Sequence, residues 1–167
     1  LLKMSLLATS FHLTSCKLKN TKQENVVQPL KVGIVGLGTV ASGTVNVLQR
    51  NAQVIAGRTG RPVEITHIGA RRDNPACDTS GIKVSRDIFE VVKDPNVDVV
   101  VELIGGYEPA KQLVLEAIAN GKHVVTANKA LIAVHGNEIF EAAAEKGVVV
   151  AYEAAVAGGI PIIKALR

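Results

Sequence analysis

Cysteine is scarce in this chain. Among its 167 residues there are two, Cys16 and Cys77, far apart and in no CxxC pair. That excludes a disulfide-stapled miniprotein and leaves free thiols in a reducing, cytoplasmic compartment as the expectation. Metal-type histidine patterns are missing as well. His12, His67, His123 and His135 lack ligand spacing, so no tetrahedral zinc site is expected. No apolar run is long enough to span a bilayer, and no membrane partner is expected. Internal repeats and low-complexity arrays are absent, which excludes a collagen-like chain.

Charge of one sign is missing from most of the chain. The formal net charge of +4 raises the question of a nucleic-acid partner. Its distribution answers it. Residues 1–30 carry Lys3, Lys17, Lys19 and Lys22 against Glu24, whereas residues 31–167 hold 15 basic against 14 acidic side chains. A nearly neutral body with interspersed signs is not a phosphate-backbone binder, so no nucleic-acid partner is expected.

The first residue is Leu1 and the only methionine is Met4, a candidate initiator. Residues 4–28 are rich in Ser, Thr and Lys, and their longest apolar run is Leu6–Leu7–Ala8. That is too short for a secretory signal, and the segment lacks the Arg of a transit peptide. The expectation for residues 1–29 is a disordered or artefactual extension, with a targeting segment as the alternative.

What the chain does have is 47% hydrophobic residues, 20% charged residues and 15 glycines. That is the composition of a globular domain with a sizeable core. From Lys31 onward short apolar runs alternate with amphipathic ones. Lys31–Val35, Val63–Gly69, Ile82–Ser85, Val97–Ile104, His123–Thr126 and Val148–Tyr152 read as strands. Val40–Ala56, Arg86–Lys93, Pro109–Asn120 and Asn137–Lys146 read as helices, and residues 71–81 as a loop. Strands separated by helices mean βαβ units. The expected fold is α/β: a six-stranded, doubly wound parallel sheet of Rossmann type, in the order 3-2-1-4-5-6. Residues 30–155 are expected to form this domain, and residues 156–167 the start of another.

The first strand runs into Gly36-Leu37-Gly38-Thr39-Val40-Ala41, a G-x-G-x-x-A loop. Gly36 permits the tight turn, Gly38 lets a pyrophosphate approach the backbone, and Ala41 allows close helix–strand packing. The helix that follows offers its free amides and positive dipole end to phosphate. Alone the motif is weak; its place after the first strand of a βαβ chain confirms it. Where the second strand ends, an acid would favour the 2′-hydroxyl of NAD. This chain has Arg71 and Arg72, 35 residues after Gly36. Two guanidiniums there suit the 2′-phosphate of NADP, with NAD tolerated. The alternative is a pair of solvated loop charges.

Three further strand ends lie where ligands of such sheets collect. Gly105-Gly106 follows the fourth strand and can admit the nicotinamide ribose. Asn128-Lys129 follows the fifth, and places a cation near polar substrate or nicotinamide unless Lys129 is a plain surface lysine. Glu153 follows the sixth. It either helps to hold a hard cation through oxygens or favours the start of the next helix.

Together VGIVGLGTVASGTVNVL, ELIGGYEPA, HVVTANKALIA and YEAAVAGGIPIIKALR resemble the nucleotide-binding domain of homoserine dehydrogenases over roughly residues 30–167. The TANK and EAAVAGGIPII segments carry most of the specificity. The resemblance implies NAD(P)-dependent interconversion of L-homoserine and L-aspartate 4-semialdehyde, on the route to threonine, methionine and isoleucine. It implies that backbone around Gly36, Leu37, Gly38, Thr39 and Val40 holds pyrophosphate, that Arg71 meets the adenosine phosphate end, and that Lys129 is one of two lysines beside nicotinamide and substrate. It also implies a sodium-type site at Glu153, Val156, Gly158 and Ile160, mostly through carbonyl oxygens. Ala41 and Ala157 stand where many members have Gly. Members continue into a substrate and dimerisation domain, so the chain reads as a fragment, inactive alone, of a homodimer or larger homo-oligomer. The rival readings are another NAD(P)-dependent amino-acid or sugar-type dehydrogenase, and a non-enzymatic nucleotide-sensing module.

Overall fold

The computed structural model describes residues 27–156, 158, 160 and 162–166. Residues 1–26 of the extension expected over 1–29, and Ala157 beside the expected cation ligands, lie outside the described residues.

Six strands form one sheet: β1 (Leu30–Val35), β2 (Val63–Gly69), β3 (Lys83–Ser85), β4 (Val99–Glu102), β5 (His123–Thr126) and β6 (Val150–Ala151). Their order is β3-β2-β1-β4-β5-β6 and every pairing is parallel. The doubly wound order read from the sequence therefore holds. The helices are α1 (Thr39–Arg50), α2 (Ala52–Thr59), α3 (Phe89–Lys93), α4 (Ala110–Ala119), α5 (Lys129–Lys146) and α6 (Ile162–Leu166), with a 3-10 turn over Glu153–Ala155.

Two apolar clusters explain why both faces of the sheet are covered. On one, Val32, Ile34 and Ile68 pack with Leu37, Ala41 and Val45 of the first loop and α1. On the other, Val35, Val100 and Val124 pack with Val91 and Val92 of α3, Leu113 and Ala117 of α4, and Leu131 and Ile139 of α5. Successive residues of β1 thus serve opposite layers, as the period of two requires. Close approach of α3 depends on small residues beneath it: a Cβ on Gly33 would lie 2.5 Å from Val91 Cγ1, and one on Gly69 2.8 Å from Val91 Cγ2. Cys77, in the loop after β2, is buried in the first cluster, and burial pushes its thiol above the ordinary range.

Several element limits differ from the sequence reading. The helix expected over Val40–Ala56 is two helices. Asn51 interrupts it, its side-chain amide donating to Val47 O at 3.1 Å. The helix expected from Asn137 starts eight residues earlier, at Lys129. Asn128 caps it through a bond from Leu131 N to Oδ1 at 3.1 Å, and Gly136 sits inside it against Phe140 rather than ending it. The helix expected over Arg86–Lys93 is only Phe89–Lys93, since Asp87 Oδ1 takes the Phe89 amide. The strand expected over Val97–Ile104 is ladder only from Val99 to Glu102: the Ile104 and Gly105 amides turn back to the Glu102 carboxylate. The last strand is short because Val148 N bonds Ala143 O and Val149 N bonds His123 Nδ1.

Candidate functional site

A cleft of about 890 Å³ opens at the carboxyl ends of β1, β2 and β4. Its floor is the glycine loop. Gly36 has φ +102°, and a Cβ there would stand 3.0 Å from Leu103 O; its amide donates to Gly69 O at 2.8 Å. Only glycine meets both demands without strain. Gly38 is different. Its φ of −78° is open to any residue, yet a Cβ would meet no protein atom within 4 Å. The methyl would meet open space, and Gly38 itself lines the cleft, so a ligand can come up to the backbone there. The first bond of α1 runs from Ser42 N to Gly38 O, so the amides of Thr39, Val40 and Ala41 precede it at the helix end. No acidic side chain stands in that first turn. Asn74 ties the loop to the far wall by donating to Leu37 O at 3.0 Å.

That wall is basic. Arg71 and Arg72 line the cleft, exposed and without a side-chain partner among the described residues. Arg86, from the segment after β3, lines it too. Arg86 Nη2 reaches both oxygens of Asp73 at 2.9 and 2.8 Å, and Nη1 donates to Ala70 O at 3.2 Å. Bonding to Arg86 holds the Asp73 carboxyl below its ordinary range and the guanidinium above its own. Ala70 N in turn bonds Ser85 O, so β3 carries Arg86 to the end of β2. Sequence reading missed Arg86 because it lies 15 positions past Arg71; only the β2–β3 pairing joins them.

The structure brings Gly36, Leu37, Gly38, Arg71, Arg72 and Gly105 onto one cleft. Thr39 and Val40 stand exposed on the first turn of α1 beside it. Gly106 and Asn128 do not line the cleft but are joined to each other, Asn128 Nδ2 donating to Gly106 O. Lys129 opens α5, exposed and without a side-chain partner among the described residues. Glu153 lies in the 3-10 turn and Val156, Gly158 and Ile160 follow it in irregular backbone, with φ +56° at Gly158. Among the described residues no three His, Cys, Asp or Glu side chains gather as a metal cluster, and no helix is long and apolar enough to cross a membrane.

Comparison with known proteins fits this geometry. Residues 36–153 match the family model described as homoserine dehydrogenase, NAD binding domain. The chain belongs to the homoserine dehydrogenase family. The curated homoserine dehydrogenase of Pseudomonas aeruginosa is 68% identical over 124 residues, covering 74% of this chain and 29% of that protein. That of Neisseria gonorrhoeae is 51% identical over 124 residues, covering 72% and 28%. Among solved structures, a homoserine dehydrogenase from Thiobacillus denitrificans matches with TM-score 0.78 and 56% identity, over 84% of this chain and 33% of that one. The chain thus spans under a third of the length of the curated relatives it matches. The matched region of the family contains the whole cleft.

Proposed function

We propose that this chain is the cofactor-binding part of a homoserine dehydrogenase, which interconverts L-homoserine and L-aspartate 4-semialdehyde in threonine and methionine biosynthesis. The observation that carries the reading is the match of residues 36–153 to that family's NAD-binding domain, on a chain whose glycine loop faces an open cleft. A nicotinamide cofactor held here would supply the hydride acceptor for the alcohol carbon of homoserine, the hydroxyl proton leaving to a base. The chain's own residues position. Pyrophosphate lies against Gly36–Val40, where the α1 amides donate and Gly38 has no side chain in the way. Arg71, Arg72 and Arg86 receive a 2′-phosphate, so NADP is preferred and NAD accepted. Gly105 and Gly106, at φ +73° and +77°, present bare backbone to the nicotinamide ribose. Lys129 faces nicotinamide and substrate, where a cation stabilises the developing alkoxide.

A monovalent cation of sodium type is held by Glu153, Val156, Gly158 and Ile160. The donor set is all oxygen, which fits a hard ion. The carbonyls of Glu153 and Ile160 each accept one amide, from Val156 and Ile162, and a carbonyl oxygen carries two lone pairs. The assembled protein is a homodimer or larger homo-oligomer.

The test is homoserine-dependent reduction of NADP+ by the full-length gene product, followed by the absorbance of the reduced nicotinamide. Turnover with homoserine and not with other amino-acid or sugar alcohols is expected. NADPH binding without homoserine turnover would overturn the reaction and favour a sensing module.

A further inference from the structure

The cleft and the Lys129 segment meet at a side chain that the reading above leaves unused. Glu102, the last residue of β4, is fully buried. Buried carboxylates are rare unless their oxygens are occupied. Here they are. Oε1 accepts from Ile104 N at 2.9 Å and Gly105 N at 3.1 Å, and Oε2 accepts from Thr126 Oγ1 at 2.6 Å. Thr126, also fully buried, closes β5 and accepts from Asn128 N at 3.0 Å. Asn128 returns to the loop after β4, Nδ2 donating to Gly106 O at 2.6 Å, while its Oδ1 caps α5. One closed circuit therefore runs from Glu102 through Thr126 and Asn128 to Gly106. It holds two consecutive left-handed glycines on one strand end and the residue before Lys129 on the next. No cation is bonded to Glu102 in this circuit; a carboxylate occupied by two amides and a hydroxyl serves as a template for backbone.

We propose that Glu102 is a positioning residue for the nicotinamide half of the cofactor. Through Thr126 and Asn128 it fixes the Gly105–Gly106 backbone and the start of α5 as one rigid unit. It touches neither substrate nor cofactor. The inference rests on the cofactor reading above but not on homoserine as the substrate. Its physical basis is pre-organisation: glycines with positive φ sample many conformations unless held, and a loop ordered only on binding weakens the complex. The adenosine half rests on the β1 and β2 ends, outside the circuit, and should not respond.

The experiment compares two ligands on this chain: NADPH, and 2′-phospho-ADP-ribose, which lacks nicotinamide. Glu102→Gln, Thr126→Val and Thr126→Ser are titrated with both, and thermal midpoints are recorded. Gln puts a donor where the circuit needs an acceptor, and Val removes the hydroxyl; Ser restores it. For Glu102→Gln and Thr126→Val, affinity for NADPH is expected to fall about tenfold or more, and affinity for the nicotinamide-free ligand by less than about twofold, the loss of one charge-assisted bond's worth of order. Thr126→Ser is expected to recover NADPH affinity. Equal loss of both ligands, or unchanged NADPH affinity in the folded Thr126→Val variant, overturns the proposal. If Glu102→Gln does not fold, the Val and Ser pair decides. Absence of NADPH binding by the unaltered chain overturns both this proposal and the cofactor reading. NADPH binding by the chain with no homoserine turnover by the full-length gene product overturns only the assigned reaction.

Discussion

Substituting Gly36 and Gly38 separately divides what the loop does for the fold from what it does for the ligand. At Gly36 the cost falls on the fold. Alanine would adopt φ +102° with its Cβ 3.0 Å from the backbone oxygen of Leu103, which cannot swing aside. A left-handed conformation costs a residue with Cβ about 1–2 kcal/mol, and local overpacking about 1–3 more. For a chain of this size each kcal/mol lowers the thermal midpoint by about 2–4 °C, so Gly36→Ala should lower it by about 5–15 °C. At Gly38 the φ is ordinary and no protein atom lies within 4 Å of the added methyl. The fold loses only the small advantage of Gly over Ala at an N-cap, under about 1 kcal/mol. The ligand loses much more, because the methyl holds pyrophosphate off the helix amides. Losing one charge-assisted bond is worth about 1.5–3 kcal/mol, or about 10–100-fold in Kd. The assay is a fluorescence titration with NADPH beside a thermal melt for each variant. Gly38→Ala binding NADPH as tightly as the unaltered chain would refute the placement of the pyrophosphate.

Other consequences are equally direct. Arg71→Ala should weaken NADPH binding about 10–100-fold and NADH binding little, as competitive titration would show; equal losses would return Arg71 to the status of a solvated charge. Gly33→Ala should destabilise by about 1–3 kcal/mol, and Val91→Ala should relieve part of that, because the nearer of the two clashes is with the Val91 side chain, at 2.5 Å, and the other with Val97, at 2.9 Å. A denaturant-based double-mutant cycle in which the two effects simply add would disprove the contact. His67 predicts a pH dependence. Burial, with Lys83 adding to it, holds its imidazole below the ordinary 6.5, despite Asp94 Oδ2 at 2.8 Å from Nδ1. Nδ1 lies at that distance without an aligned hydrogen bond to Asp94. The unfolded chain therefore takes up the proton first as pH falls. The stability owed to neutral His67 is complete above about pH 6.5 and declines on acidification through the lower folded value. Burial alone would raise the Asp94 carboxyl, but the Asn96 amide and Lys83 outweigh it and hold it below 3.8, so its own loss comes at lower pH. His67→Gln should flatten the unfolding free energy between about pH 7 and 5, and an unchanged slope would exclude His67 as its source.

Much of the fold was legible because its signals are local. The β-branched run around Val99–Glu102, the glycine loop after β1 and the glycines ending α4 and α5 each declare themselves within a few residues. Strand order then follows from the handedness of βαβ crossovers. What was hidden depends on partners distant in sequence. The sequence pattern marks a helix only from Asn137, yet α5 starts at Lys129 and runs through Gly136, because capping at Asn128 and burial of Leu131 and Ile139 outweigh one glycine. Val40–Ala56 has continuous helical composition, and nothing in it announces that Asn51 turns the chain. In the cleft, the glycine loop and the Arg71–Arg72 pair stand out in the sequence. Arg86 needs the β2–β3 pairing to arrive, and Glu102 reads as one more residue of a buried strand until its three donors are seen. The loop of residues 71–81 looked merely polar, yet Asn46 and Gln49 of α1 pin it through Ala76 O and Asp78 O.

The most direct test of the account is a map of where NADPH binds, from backbone amide chemical shifts of this chain titrated with the nucleotide. The account predicts saturable shifts at Gly36, Gly38, Thr39 and Val40, at Arg71, Arg72 and Arg86, and at Gly105 and Gly106. Residues at the opposite end of the sheet, such as Lys122, bonded to Asp94 O and Val97 O, should stay still. Shifts confined to α2 or the β6 edge, or no saturable shift at all, would contradict it.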